Sequence, residues 1–295
     1  MRHHVVIRTL VVWIGLVIPA MAYAHPGGRD AEGCHICRSK CERYDVTPDV
    51  RHCHGVKRAE EVKPAEKVPA KPKILELGYE GFTIWLDCEK RGAVAFRYNA
   101  QRDTGQAARS SSFRLDPDVP KECQQRNGKS YKTRPPLPKY DRGHLVPANH
   151  LDFSQLAIKQ SNFMTNILPQ VLAMNRGAWK HTEDIIECRR DTDELLVFGG
   201  VFWEPKPDRN PFLRSHGITI PPAFWKVLVR GSDGEAIAWI IPNSVAATYD
   251  NLDQYLVPIR EIEQRLGGTI PVVEDFRKDR VPEYSWQVPL GCDRS

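Results

Sequence analysis

The chain has 295 residues, of which 41% are hydrophobic, and carries a formal net charge of +5. This length allows one large domain with an appendage, and the hydrophobic content is enough for a packed core, which excludes a chain that is disordered throughout. The excess positive charge lies in residues 1–24 and 57–73, so residues 74–295 are neutral overall. Binding of nucleic acid by residues 74–295 would therefore need a local basic groove.

Residues 1–24 have the features of a signal peptide. Two arginines precede an apolar stretch at 10–21 that is too short to span a bilayer, and Ala22-Tyr23-Ala24 is a small-x-small cleavage site. An uncleaved anchor helix is the alternative interpretation. Cleavage would release a chain that begins at His25 and enters an oxidising compartment, so we expect a periplasmic or secreted protein with no stable membrane insertion.

Eight cysteines fall into two groups of four: Cys34, Cys37, Cys41 and Cys53, then Cys88, Cys123, Cys188 and Cys292. The even number predicts disulfides within each group, although four cysteines allow three connectivities. Residues 25–56 form a Cys/His-rich module with few aliphatic residues, which needs cross-links or a metal ion for stability. Two disulfides are one interpretation. The other is a Zn²⁺ site that draws its ligands from Cys34, Cys37, Cys53 and His54.

Residues 57–73 alternate Lys, Glu, Pro, Ala and Val, and their three prolines forbid a long helix. This composition predicts an extended, solvated linker. The globular domain follows at 74–295. Its predicted strands are 82–88, 93–98, 195–202, 224–229 and 236–241, with the first two joined by a turn at Arg91-Gly92.

The predicted helices of the domain are 154–160, with Asp152 as a cap, 175–188, and 251–266, which Gly267-Gly268 ends. Strands before and after helical insertions predict an α+β domain with an antiparallel sheet.

Three short motifs bring chemically useful side chains together in the sequence. They are Asp141-Arg142-Gly143-His144, Asn166-x-x-Pro169-Gln170, and Asn175-x-Gly177-Ala178-Trp179 followed by Glu183. A histidine can deprotonate water near neutral pH. An amide oxygen suits a hard cation such as Mg²⁺, which keeps most of its waters, and an arginine balances charge on a phosphoryl group. This set indicates phosphodiester hydrolysis with a hydrated metal ion.

His144 is the predicted base, and Gly143 before it permits a backbone shape that other residues resist. His150 and His181 are competing bases. His181 faces a different side of the predicted helix from Asn175, so His150 is the more serious rival. Because the base must be neutral, activity should fall below the His144 pKa, and rates that stay flat from about pH 8 to about pH 5 would contradict this assignment.

Asn175 and Glu183 would lie on one broad face of a regular helix, about 80° apart in rotation and about 12 Å apart in rise. That rise is too large for both to bind one ion, so we expect Asn175 to bind the metal and Glu183 to hold a metal-bound water. A capping asparagine with a solvated glutamate is the structural alternative. Asn166 either orients the base, touches phosphate or stabilises a turn.

Together the three motifs resemble those of the ββα-metal superfamily of DNA/RNA non-specific endonucleases, which includes the mitochondrial endonuclease G group. The resemblance covers roughly residues 74–290. It implies a ββα-metal nuclease fold with a central antiparallel sheet flanked by helices. It also implies an Mg²⁺-dependent endonuclease, with Mn²⁺ as a substitute, that cuts DNA and RNA without sequence preference and leaves 5′-phosphate ends. A homodimer is the expected assembly, and an inhibitor protein is a further class of partner.

The resemblance gives each matched residue a role. His144 is the general base, Asn175 the sole direct metal ligand, Glu183 the holder of a metal-bound water, Asn166 a supporting amide near the base, and Arg142 a phosphate contact or a brace. The family also uses an arginine in the loop after its paired strands, and Arg109 is the best positional match. Two other functions remain open: a catalytically silent nucleic-acid-binding protein of the same fold, and a metal-storage or metal-sensing protein built on the Cys/His-rich module.

Overall fold

The structure is a computed structural model, and it describes residues 34–38, 41, 48–53, 73–204, 210–271 and 273–292. The chain divides into two compact units, residues 1–70 and 71–295. The predicted signal peptide at 1–24 and residues 57–72 of the predicted linker lie outside the described residues. Within the described ranges, no helix is both long and apolar enough to cross a membrane.

The described part of the first unit is a short hairpin in which β1 (Cys34–Ile36) pairs antiparallel with β2 (Arg51–Cys53). Cys37 is bonded to Cys41, and Cys34 is also in a disulfide. A sulfur in a disulfide is not a thiolate, so neither Cys34 nor Cys37 can bind Zn²⁺. The zinc interpretation is therefore wrong for these two cysteines. His54 lies outside the described residues, and those described contain no cluster of three metal-binding side chains.

Disulfides of the second unit also join cysteines of one group, as the sequence predicts. They link Cys88 to Cys123 and Cys188 to Cys292.

The described part of the second unit contains eight strands, which in chain order are β3 (Ile74–Tyr79), β4 (Phe82–Asp87), β5 (Gly92–Ala100), β6 (Tyr140–His144), β7 (Ile167–Val171), β8 (Leu195–Phe202), β9 (Ala223–Arg230) and β10 (Ala236–Pro242). Six of them form an antiparallel sheet in the order β10-β9-β8-β5-β4-β3, and β6 pairs separately with β7. The predicted antiparallel α+β fold is confirmed. The sequence missed β3, an edge strand without any fully buried residue.

The described helices of this unit are α1 (Gln155–Ser161), α2 (Leu172–Met174), α3 (Lys180–Arg190) and α4 (Ile259–Leu266). α3 and α4 lie on opposite faces of the sheet. On one face Trp179, just before α3, packs edge-on against Phe96 and Phe224, with ring centroids 6.5 Å and 5.5 Å away. On the other face α4 packs Ile259 and Ile262 against alternate residues of β9 and β10. The main core thus lies between the sheet and the α3 layer.

The predicted helix at 251–266 is two elements. A 3₁₀ turn spans Tyr249–Tyr255, and α4 begins only after Pro258. Proline lacks an N–H and clashes with the preceding helical turn, so the helical pattern cannot run through it. The predicted end is confirmed, because Gly267 takes a left-handed φ of 64°.

Two smaller predictions fail for local reasons. Ser154, not Asp152, caps α1, because its side chain accepts a hydrogen bond from the N–H of Leu156. The predicted turn at Arg91-Gly92 is displaced, because the β4–β5 turn ends at Arg91, which has a left-handed φ of 56°. Gly92 begins β5, where a Cβ atom would come within 2.9 Å of Trp203.

Candidate active site

The Asp-Arg-Gly-His motif forms most of β6, whose last residue, His144, lies opposite Ile167 of β7. Gly143 does not have a positive φ. It is required by close packing instead, because a Cβ atom there would lie 2.0 Å from Oε1 of Gln170. The glycine therefore allows the third residue of one motif to pack against the last residue of the next.

The chain between β7 and α3 is not one regular helix. α2 is followed by a π-type turn at Asn175–Trp179, in which Gly177 has φ −109° and ψ −112°. Gly177 lies against the backbone of Ala247, whose oxygen would be 2.6 Å from a Cβ atom at this position. The rotation and rise of a regular helix therefore do not relate Asn175 to Glu183, and the spacing argument made from the sequence is wrong in detail.

A cavity of about 660 Å³ opens beside the end of β6 and α3. Four of the predicted site residues line it: Arg109, His144, Asn175 and Glu183. Its other polar or charged lining residues are Ser110, Ser111, Asn149, His150, Asn162, Arg176, Lys180 and Glu187. Arg109, Arg176 and Lys180 give it the local basic character that a neutral domain would need to bind nucleic acid.

Asn162 holds the imidazole of His144. Its amide nitrogen donates to the carbonyl oxygens of Ser110 and Ile158, at 2.8 Å and 3.2 Å. Two carbonyl acceptors fix the amide orientation, so Oδ1 faces His144 Nε2, 3.2 Å away. The sequence interpretation missed Asn162, which lies four residues before the asparagine it selected.

This contact defines the tautomer of His144. Oδ1 of Asn162 can only accept a hydrogen bond, so in the neutral ring Nε2 carries the proton and Nδ1 keeps its lone pair. The ring also packs against Phe113, with centroids 5.4 Å apart. The arrangement leaves Nδ1 as the proton acceptor on a fixed imidazole.

Burial lowers the pKa of His144 to about 4, and the charges of Arg142 and Arg109 act in the same direction, whereas the bond from Asn162 opposes the shift. The imidazole of His144 is therefore neutral at physiological pH. The acid limb expected from the sequence moves below pH 5, so rates that stay flat from pH 8 to pH 5 no longer contradict the assignment.

Asn175 also has a fixed amide. Its nitrogen donates to Oδ2 of Asp141 at 3.0 Å, and Arg176 holds the same carboxylate through two bonds of 2.8 Å and 3.1 Å. A carboxylate only accepts hydrogen bonds, so the amide nitrogen must face Asp141 and the carbonyl oxygen is turned away from it. Asp141, the first residue of the motif, thereby orients the amide oxygen as an oxygen donor for a hard cation.

Glu183 is one of two glutamates that line this cavity, and burial raises its pKa. Behind it, in β9, Lys226 is fully buried, and burial lowers its pKa. Each charge favours the ionised form of the other. The ammonium of Lys226 donates to Thr182 Oγ1 at 2.7 Å and lies 3.7 Å from the centroid of the Trp179 ring.

Comparison with known proteins agrees with this geometry. A family model for DNA/RNA non-specific endonucleases matches residues 63–274. The chain belongs to this family. It is 29% identical over 177 residues to "Nuclease 1, mitochondrial" of Schizosaccharomyces pombe, covering 54% of this chain and 53% of the relative. It is 27% identical over 139 residues to "Endonuclease G, mitochondrial" of Homo sapiens, covering 43% and 47%. The chain spans about half the length of these curated relatives.

The fold is also similar to that in the crystal structure of an EndoG/EndoGI complex, with a TM-score of 0.55 and 19% identity, covering 69% of this chain and 88% of that chain. This likeness supports the α+β fold with its central antiparallel sheet.

Two residues to which the family resemblance gave site roles lie outside the cavity lining. Asn166 is fully buried, where its amide bonds the N–H and carbonyl of Val146 and the carbonyl of Ser161, at 2.8 Å to 3.0 Å. It braces the chain directly after His144. Arg142 donates to Gly128 O at 2.9 Å and lies 3.9 Å from the ring centroid of Phe113, so it acts as a brace.

The competing histidines have other partners. His181 contacts the backbone oxygen of Tyr249 at 2.9 Å and stacks on its ring, outside the cavity lining. His150 lines the cavity but is buried, with its two ring nitrogens 2.7 Å from the Tyr98 hydroxyl and 3.3 Å from a Glu187 oxygen. Both nitrogens of His150 are engaged, so of the two histidines that line the cavity only His144 offers a ring nitrogen as a proton acceptor.

Proposed function

We propose that this family member is a metal-dependent endonuclease that hydrolyses phosphodiester bonds in DNA and RNA without sequence preference. The observation that carries the proposal is the fixed tautomer of His144. Asn162 engages Nε2, so Nδ1 is the basic nitrogen in a cavity that also holds Asn175 and Glu183. An imidazole that is neutral at physiological pH can accept a proton.

The residues of the cavity suit a divalent cation. The carbonyl oxygen of Asn175, oriented by Asp141, would bind Mg²⁺, or Mn²⁺ as a substitute, and Glu183 would hold its hydration water. When bound, the cation polarises the phosphate and stabilises negative charge on the leaving oxygen. Desolvation raises the pKa of Glu183, and a nearby cation would stabilise its ionised carboxylate, which supports this placement.

The chain's own residues perform the remaining steps. His144 Nδ1 takes a proton from water, and the water oxygen forms a new bond to phosphorus. The bond from phosphorus to the 3′ oxygen breaks, and this oxygen leaves as a hydroxyl after taking up a proton from water. The products are a 5′-phosphate and a 3′-hydroxyl. Arg109, at the cavity, balances the charge that develops on the phosphoryl oxygens.

The basic side chains of the cavity favour phosphate over base contacts. Arg109, Arg176 and Lys180 are cationic groups that recognise the backbone common to both nucleic acids. We therefore expect weak sequence preference and cleavage of both DNA and RNA.

Cleavage of plasmid DNA and of single-stranded RNA by the purified protein tests the function. With Mg²⁺ we expect both substrates to be cut, and with excess EDTA we expect cleavage to stop, because no residue replaces the charge that the cation supplies. Equal cleavage with Mg²⁺ and with EDTA would contradict metal dependence. Binding of both substrates without cleavage under either condition would favour the silent binding protein.

The pH dependence of cleavage tests the base. At saturating Mg²⁺, which holds Glu183 ionised, the rate should stay nearly constant from pH 8 to about pH 5 and fall toward pH 4, because protonation of His144 removes the base. Asn162→Asp places a carboxylate beside Nε2 and stabilises the imidazolium, so the acid limb should move up by at least about one pH unit. An unchanged limb in this variant would count against His144.

Export is the proposed route for this protein, to the periplasm or the medium. The disulfides Cys88–Cys123 and Cys188–Cys292 support an oxidising compartment. The homodimer and a protein inhibitor remain predictions from the family resemblance.

A further inference from the structure

Arg109 reaches the cavity on a segment, residues 101–110, that has no regular secondary structure. Two residues before Arg109, the N–H of Ala107 donates to the backbone oxygen of Asp152 at 2.9 Å. Gly105 packs directly on the same backbone, where a Cβ atom would lie 2.3 Å from the carbonyl carbon and oxygen. The segment therefore rests on Asp152 by backbone contacts alone at these two points.

Asp103 ties the start of this segment to the end of α3. Its N–H donates to Asp191 Oδ1 at 3.0 Å, and its carboxylate pairs with the guanidinium of Arg190 at 3.2 Å. Arg190 is only 3% exposed, and it donates to Glu187 Oε1 through Nε and Nη2, at 3.1 Å and 2.6 Å. A buried guanidinium needs charged partners to offset its lost hydration, so Arg190 holds both carboxylates.

The same helix places the acid of the cavity. Glu183 lies one turn before Glu187 in α3, and both line the cavity. Glu187 also accepts a bond of 2.7 Å from the amide of Asn149, in the turn after β6. One connected group of charges therefore joins α3, the chain after His144 and the segment that carries Arg109.

We propose that Arg190 is a positioning residue for Arg109: by binding Glu187 and Asp103 together, it holds the 101–110 segment at a fixed place relative to Glu183. This rests on the proposed function, in which Arg109 contacts the phosphoryl group. Arg190 does not line the cavity. It acts through Asp103 on the segment, and its effect on cleavage passes through the Arg109 side chain.

A double-mutant cycle tests the link. Removing Arg190 itself would leave buried carboxylates unpaired and would risk unfolding, so the variant is Asp103→Asn, which removes one charge from a partly exposed side chain. We expect Asp103→Asn to lower kcat/KM by roughly tenfold, within the coupling found for residues of one charge network. Arg109→Ala should lower kcat/KM by roughly 10²- to 10³-fold. In the Arg109→Ala background, adding Asp103→Asn should lower kcat/KM by less than about twofold.

A second variant displaces the segment without changing charge. Gly105→Ala introduces a Cβ atom against the Asp152 backbone, so it should lower kcat/KM in the same way and also lose its effect in the Arg109→Ala background. Hydrogen exchange gives a readout independent of activity: amides of 103–110 should exchange faster in Asp103→Asn and in Gly105→Ala.

The matched controls are Asp279→Asn, which breaks an exposed pair with Arg260, and Gly78→Ala, where nothing lies within 4 Å of a new Cβ atom. Neither should change cleavage or the exchange of 103–110. The proposal would be overturned if Asp103→Asn lowered kcat/KM by the same factor in the Arg109→Ala background as in the wild type. It would also be overturned if hydrogen exchange of residues 103–110 did not change. If Arg109→Ala cuts normally while His144→Ala is inactive, the endonuclease function stands and this proposal fails.

Discussion

Replacing His144 by alanine should lower the rate of DNA and RNA cleavage by roughly 10²- to 10⁴-fold, the usual contribution of a general base. The substitution removes Nδ1, whereas the basic residues of the cavity and the Asn175–Asp141 pair remain. Binding of nucleic acid depends on those residues and should change little. Single-turnover cleavage and fluorescence anisotropy at one fixed salt concentration measure the two quantities separately.

The matched control is His181→Ala. This histidine lies near the start of α3 and packs on Tyr249 outside the cavity lining. Its loss should therefore leave cleavage near the wild-type rate. Full activity of His144→Ala would remove the proposed base. A loss of cleavage matched by an equal loss of binding would show that His144 supports the fold or the substrate contact instead.

Replacing Asn175 by alanine should weaken Mg²⁺ binding and lower cleavage by at least about 100-fold. Substitution of a residue that merely supports a metal ligand typically lowers metal affinity or activity by 10- to 100-fold. Loss of the proposed direct ligand should lower them by no less. The substitution also leaves Asp141 without the amide that it orients, while its pair with Arg176 remains. Calorimetric titration with Mg²⁺, and cleavage measured across Mg²⁺ concentrations, check the prediction.

Asn99→Ala is the control for this variant, because Asn99 is exposed and bonds Glu194 outside the cavity lining. It should leave the Mg²⁺ dependence unchanged. An Asn175→Ala protein with wild-type Mg²⁺ affinity would show that the cation lies elsewhere, and Glu183 would then be the first residue to test as a direct ligand.

The sequence predicted the features that depend on short-range patterns. Alternating or continuous apolar runs located β4, β5, β8, β9 and β10, and the ordered motifs selected three residues, His144, Asn175 and Glu183, that line one cavity. Such motifs predict site residues because short stretches of sequence determine where side chains lie on adjacent strands and on the helix that follows. Arg109 was selected from spacing alone, and the structure places it in the same cavity.

Contacts between distant parts of the chain were not predictable in this way. Asn162 meets His144 only because residues 145–161 fold back beside β6, and the motif match directed attention to Asn166 instead. Both are asparagines near the base in sequence, but one satisfies buried backbone groups and the other faces the cavity. Deciding between them requires the backbone path.

The kink at Gly177 and the environment of Lys226 also depend on contacts between distant parts of the chain. Gly177 departs from helical geometry because Ala247, seventy residues later, packs against it. Lys226 interrupts an apolar run at 224–229, a signal that was present in the sequence. Its meaning depends on Trp179 and Thr182, which provide the ring and the hydroxyl that it contacts behind the site.

The most direct test of the account is cleavage of a short DNA duplex in ¹⁸O-labelled water with Mg²⁺, followed by mass spectrometry of the products. Attack on phosphorus by a water that His144 deprotonates, with departure of the 3′ oxygen, predicts one ¹⁸O atom in each new 5′-phosphate and none in the 3′-hydroxyl fragment. The His144→Ala protein should yield no labelled product in the same time. Label in a 3′-phosphate, or equal labelled product from His144→Ala, would contradict the mechanism.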